Sequence, residues 1–218
     1  MSARENILAR IRSAQGKPGG EPTAADLERI RAVIANPVTG PQPAFAHPPD
    51  LLVQFLKECD RVGTTHAQVA SDGDIPREVA RYLAGAALEP RIVSWPEFAA
   101  LDWASARVAF EARPAHRDDK TGLTGSTCAI AETGTTLLLS SPDQPKVTAL
   151  LPETHVCVVR KSRLLATLEE AFALVRRERG ELPRSAFFVS GPSRTADIEQ
   201  TMVIGAHGPY RVHVIIAP

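Results

Sequence analysis

Three stretches of this chain concentrate the side chains that can do chemistry. The densest is Ser190-Gly191-Pro192-Ser193-Arg194-Thr195-Ala196-Asp197-Ile198-Glu199, followed closely by Gly205-Ala206-His207-Gly208-Pro209. Ser190, Ser193 and Thr195 offer hydroxyls and Arg194 a guanidinium, a set suited to a small anion. Glycine at 191 and 208 lets a ligand approach the backbone. Asp197 and Glu199 could orient a ligand hydroxyl or pair with arginines. His207 titrates near neutrality and suits acid/base work. The segment directly follows a strand-like run, Ala186–Val189, and open α/β sheets bind ligands beyond the carboxyl ends of their strands. Read more plainly, the Gly-Pro pairs are turn punctuation, and residues 193–197 could lead into a helix.

The second stretch, Ala131-Glu132-Thr133-Gly134-Thr135-Thr136, lies between the apolar runs Ala129-Ile130-Ala131 and Leu137-Leu138-Leu139. A tight turn there would carry Glu132 at the end of one strand and Thr133, Gly134 and Thr135 at the start of the next. A carboxylate so flanked is expected to be partly desolvated, which suits acid/base or nucleophilic work. It could equally accept backbone N–H groups and fix the turn. The third stretch, Thr121-Gly122-Leu123-Thr124-Gly125-Ser126-Thr127, reads as a loop, with Thr124 a ligand-binding candidate or one of several locally satisfied hydroxyls. Glu132, Asp197 and His207 are the catalytic candidates. Thr124, Thr133, Gly134, Thr135, Ser190, Gly191, Ser193, Arg194, Thr195, Glu199 and Gly208 are the candidates for binding.

Other chemistries lack their signatures. No glycine-rich stretch ends in Gly-Lys-Ser/Thr, and no GxGxxG follows a strand. Cys59, Cys128 and Cys157 are far apart in sequence and form no CxxC, so no metal or iron–sulfur site is expected on this chain. They are expected to be small buried residues, and Cys128 has no cation nearby to activate it. His116-Arg117-Asp118-Asp119 reads as a solvated loop. Lys and Arg total 25 against 25 Asp and Glu, and a zero net charge argues against a general nucleic-acid binder. No apolar run approaches the roughly 18 residues of a membrane span, and the charged, amphipathic start is unlike a secretory signal. A cytoplasmic protein is expected.

The elements that would position these residues alternate between helix and strand along 218 residues, 44% of them hydrophobic. Residues 1–50 read as an N-terminal arm that docks on the main domain or a partner. It has a helix opened by a Ser2/Glu5 capping box, a second helix over Thr23–Ala35, and a Pro-rich linker over 36–50. Residues 51–218 read as one α/β domain. Helices are expected over Leu51–Cys59, Asp74–Ala87 and Thr167–Arg177, and a short one opened by a Ser94/Glu97 capping box. The third of these carries Leu168, Phe172 and Val175 as its apolar stripe. Strands are expected over Val62–Val69, Arg91–Ser94, Arg107–Glu111, Ala129–Glu132, Thr135–Leu139, His155–Val159, Ala186–Val189 and Arg211–Ile216. His213 is expected to point to a polar face and His155 to cap a strand. Short, unalternated apolar strands imply a mostly parallel or mixed sheet with helices on both faces.

The segment 129–135, taken with 190–199 and 205–209, resembles the LUD family in its lactate-utilisation protein C branch. The resemblance spans roughly residues 50–218 and, more loosely, the arm. It implies a NagB/RpiA/CoA-transferase-like α/β fold. It also implies a part in oxidising L-lactate to pyruvate beside two iron–sulfur partner proteins, A-like and B-like, which would carry the redox clusters. This chain would then be a non-redox subunit that binds a small carboxylate or other anion, or organises its partners. Two further readings follow from the same fold resemblance. One is a stand-alone enzyme acting on an anionic metabolite, with Glu132-Thr133-Gly134 a distant relative of the CoA-transferase Glu-Asn-Gly turn. The other is a scaffold docked through its arm.

Overall fold

The computed structural model describes residues 2–16, 22–36, 38, 40–41, 49–180, 182–197 and 199–218. The chain divides into two units, Met1–Ala44 and Phe45–Pro218. The first holds helices α1 (Ala3–Ala14) and α2 (Ala24–Ala35). Both begin with reciprocal capping boxes, Ser2 with Glu5 and Thr23 with Asp26, which satisfy amides that a helix start leaves free. Ile7, Ile11, Leu27, Ile30 and Ile34 are exposed on these helices. The Pro-rich linker expected over 36–50 falls largely outside the described residues.

The second unit begins with α3 (Leu51–Val62), β1 (Thr65–Gln68) and α4 (Ile75–Gly85), then β2 (Arg91–Ser94), β3 (Ala109–Ala112) and β4 (Thr121–Thr124). β5 (Cys128–Ile130), β6 (Thr135–Leu139), the single turn α5 (Val147–Leu150), β7 (Thr154–Arg160) and β8 (Leu164–Leu165) follow. The chain ends with α6 (Leu168–Arg179), β9 (Ala186–Val189), the short pair β10 (Arg194–Thr195) and β11 (Val203–Ile204), and β12 (Arg211–Ala217). Six strands form a parallel sheet in the order β1-β12-β7-β4-β2-β3. A second sheet, β8-β5-β6-β9, is antiparallel except for the β5–β8 pair.

Side-chain alternation decides the layers. Cys157, Val159, Val212, Val214 and Ile216 face one side of the parallel sheet, where Phe55 and Cys59 of α3 and Ala129 and Leu138 of the second sheet meet them. Val156, Val158, Ile215 and Ala217 face the other side, against Ile75, Val79 and Leu83 of α4. The far side of the second sheet, Cys128, Ile130, Leu137 and Leu139, is covered by Ala171, Leu174 and Val175 of α6. The architecture is therefore α/β with a parallel central sheet covered by helices on both faces. On one face α3 shares its layer with the second sheet.

Several sequence expectations change. Thr121–Thr124 is the buried strand β4, not a loop. Its glycine is required because a Cβ at Gly122 would lie 2.0 Å from the Thr148 carbonyl oxygen. Ser94 and Glu97 make no capping box; Pro96–Phe98 is a single 3-10 turn, and Ser94 Oγ donates to the Trp95 carbonyl instead. In α6, Phe172 and Leu168 are partly exposed, while Ala171, Leu174 and Val175 face inward. His213 is buried on the α4 side of the sheet, and His155 is buried within β7 rather than capping it. The cysteines are buried, and desolvation pushes each thiol up to about 12, which leaves them inert near neutral pH.

Candidate functional site

Two of the three polar stretches meet, and the strand register is the reason. β6 runs antiparallel to β9 with Thr136 opposite Val189, so Thr135 and Ser190 come side by side beyond the pair. Their hydroxyls share a short hydrogen bond, and Thr135 Oγ1 lies 2.7 Å from Thr133 Oγ1. Glu132, Thr133, Thr135 and Ser190 line a pocket of about 390 Å3 with Leu168, Glu169 and Phe188. A second pocket of about 200 Å3 adjoins it, lined by Phe187, Phe188, Ser190, Gly191, Ser193, His207 and Gly208 among others. Ser190 and Phe188 belong to both pockets, so Ser190 is the hinge of the arrangement.

The glycines of these stretches serve the scaffold. Gly134 has φ +63, and a Cβ there would lie 2.7 Å from the Glu58 carbonyl carbon and 2.8 Å from the Cys59 nitrogen. Gly191 has φ +82, and its Cβ would meet the Val62 carbonyl oxygen at 2.5 Å. Both turns press directly on the C-terminal half of α3, an approach only glycine permits. Arg194 joins them, because its Nη2 donates to the Val62 carbonyl at 2.9 Å. That oxygen is one of the acceptors a helix end leaves unpaired, and a cation there opposes the helix dipole favourably. Arg194→Ala is accordingly expected to cost about 1 kcal/mol and lower the melting temperature by about 2–4 °C. An unchanged melting curve would contradict this anchoring role.

Asp197 and His207 form a surface pair, with Oδ2 and Nε2 3.5 Å apart and both side chains exposed. The Thr195 hydroxyl, and then His207, hold the Asp197 carboxyl below its ordinary value. Glu199 is exposed and sits at φ +53, away from the pockets. Thr124 does not join the site. It is fully buried and bonded to His155 Nε2 at 2.8 Å. The 190–199 stretch does directly follow a strand, β9, which is an edge strand of the second sheet and not of the parallel one. Glu169 and Phe188 were missed as pocket residues. Glu169 stands in the first turn of α6, where an acidic residue is explained by the helix dipole alone. Among the described residues no three His, Cys, Asp or Glu side chains gather as metal ligands. No described helix is long and apolar enough to cross a membrane.

A family model described as the LUD domain matches residues 96–217, the segment that contains both pockets. The chain belongs to the LUD domain family. This LUD chain is 28% identical to the Lactate utilization protein C of Bacillus subtilis over 237 residues, covering 97% of this chain and 95% of that protein. It is 30% identical to the Lactate utilization protein C of Geobacillus kaustophilus, with 77% and 78% covered. A crystal structure of a DUF162 family protein from Deinococcus radiodurans superimposes with a TM-score of 0.57 at 26% identity, covering 77% of this chain and 96% of that one. The LUD segment begins just after β2. It therefore takes in the second sheet, α6 and the four later parallel strands, while α3, β1 and α4 precede it.

Proposed function

We propose that this LUD chain works as a lactate-utilisation protein C-type subunit in the oxidation of L-lactate to pyruvate. The observation that carries the reading is the nearly end-to-end similarity to the Bacillus subtilis protein of that name, 97% of one chain against 95% of the other. In this reading two iron–sulfur partner proteins, A-like and B-like, hold the redox centres and perform the electron transfer. This chain binds a small carboxylate or organises the complex around it.

The pocket of about 200 Å3 suits such a ligand in size and chemistry. Ser190 and Ser193 supply hydroxyls that accept from or donate to a 2-hydroxy acid, and His207 supplies a ring nitrogen. Phe187 and Phe188 give the apolar wall that a methyl group needs. Because Arg194 is engaged with the Val62 carbonyl, recognition there rests on hydroxyls and imidazole and not on a guanidinium clamp.

The test is affinity purification of tagged protein from lactate-grown cells, followed by assay of the eluate for iron and for lactate-dependent dye reduction. Iron-bearing partners with lactate-driven reduction are expected; a colourless, inactive chain would overturn the proposal. The Ser190→Ala/His207→Ala double variant should retain the wild-type melting temperature and lose about tenfold or more of the lactate-dependent rate. Undiminished reduction by a folded double variant would remove the pocket from the function.

A further inference from the structure

A separate cleft of about 490 Å3 opens on the α4 side, at the amino ends of β1 and β12. Its floor is a locked polar cluster. His213, only 1% exposed, places Nδ1 2.9 Å from Thr65 Oγ1 and Nε2 3.3 Å from Glu78 Oε1. Glu78 is an acceptor only, so Nε2 carries the proton and Nδ1 faces the Thr65 hydroxyl, which also lies 3.3 Å from the Val212 carbonyl oxygen. The Tyr82 ring stacks on the imidazole with centroids 4.0 Å apart. Thr65, His213 and Tyr82 are thus held in place before any ligand arrives, as binding sites generally are.

The charges around this floor are unequal in commitment. Arg81 is spent on Glu78, through Nε at 2.7 Å and Nη2 at 2.5 Å. Arg211 makes no ion pair and no side-chain hydrogen bond among the described residues. It is half-buried in the cleft wall, with its guanidinium 4.9 Å from the Tyr210 ring centroid. The Glu153 carboxylate feels its charge but is itself bonded to Lys120, so the guanidinium keeps its donors for an anion entering the cleft. Tyr82, Tyr210 and Pro192 add apolar surface beside it. The cleft has the volume of a site for a ligand considerably larger than a three-carbon acid.

We infer that this cleft is a second ligand site, taking an organic anion whose carboxylate or phosphate pairs with Arg211 and whose apolar or aromatic body lies along Tyr82 and Tyr210. It is independent of the Ser190 pocket and does not rest on the lactate reading. Five of its twelve lining residues come from β1 and α4, ahead of the segment that the LUD domain model matches.

The experiment is calorimetric or NMR titration of the full chain with two probes, phenyl phosphate and 3-phenylpropanoate. Saturable binding of at least one is expected, and whichever binds tighter assigns phosphate or carboxylate as the headgroup. Arg211→Gln should weaken it by about tenfold or more, and Ser190→Ala should leave it unchanged. Should Arg211→Gln fail to fold, Gly85→Phe serves instead. Gly85 adjoins the cleft, and a Cβ there meets nothing within 4 Å, so the ring can obstruct the site without disturbing the core. No saturable binding of either probe, or binding indifferent to a folded Arg211→Gln or Gly85→Phe variant, would overturn the assignment.

Discussion

Gly134→Ala and Gly191→Ala are each expected to destabilise the protein by about 2–5 kcal/mol, lowering the melting temperature by roughly 5–15 °C. Two effects add at these positions. The backbone is left-handed, with φ +63 at Gly134 and +82 at Gly191, which strains any L side chain. The new methyl would also meet main-chain atoms of α3 at 2.7 and 2.5 Å, and a helix backbone cannot yield as a side-chain tip can. Two other glycines separate the effects. Gly180 has φ +68 but open space around its Cβ, so Gly180→Ala should cost only the strain, about 1–2 kcal/mol. Gly85 is unstrained and open, so Gly85→Ala should be neutral or stabilise by up to about 1 kcal/mol. Thermal unfolding of the four variants checks the order, and a Gly134→Ala curve matching that of Gly180→Ala would refute the α3 contact.

Mild acid should destabilise this protein before most of its carboxylates titrate. Burial pushes both His155 and His213 down to about 4 from an ordinary value of 6.5. At His213, Glu78 opposes that shift and Arg81 and His66 reinforce it. Between these values the unfolded chain binds a proton at each imidazole and the folded chain does not. Stability is therefore full above about pH 6.5, falls as pH drops toward 4, and levels off below that for these two groups. The full displacement corresponds to about 3 kcal/mol for each histidine. Urea unfolding at pH 7.5 and pH 5 checks it, the midpoint being lower at pH 5. His213→Gln should remove about half of the difference, and equal midpoints at the two pH values would contradict the neutral, buried state of both rings.

The fold class was legible because its signals are local. The capping pair at Ser2/Glu5 and the β-branched runs of β7 and β12 each act within a few residues. The strands at Arg91–Ser94, Thr135–Leu139 and Ala186–Val189 lie where the sequence alone places them. β4 did not announce itself, since two threonines and a glycine in four residues look like a loop. Only burial on both sides, with Thr124 bonded to His155 and Gly122 against Thr148, turns that composition into a central strand.

The sequence by itself marked the candidates for chemistry, Glu132, Thr133, Thr135, Ser190, Ser193 and His207 among them. The tertiary structure decided which of them meet and which are spent on the scaffold. Thr135 reaches Ser190, 55 positions along the chain, because β6 and β9 pair. Gly134, Gly191 and Arg194 are turned against α3, a helix far from all three in the chain. His213 lies beneath Tyr82 and beside Thr65 because the last strand lies next to the first. Local propensity depends on neighbours in sequence, whereas pocket walls and the partners of buried polar groups depend on strand order and layer packing. Those contacts exist only once the whole sheet has formed.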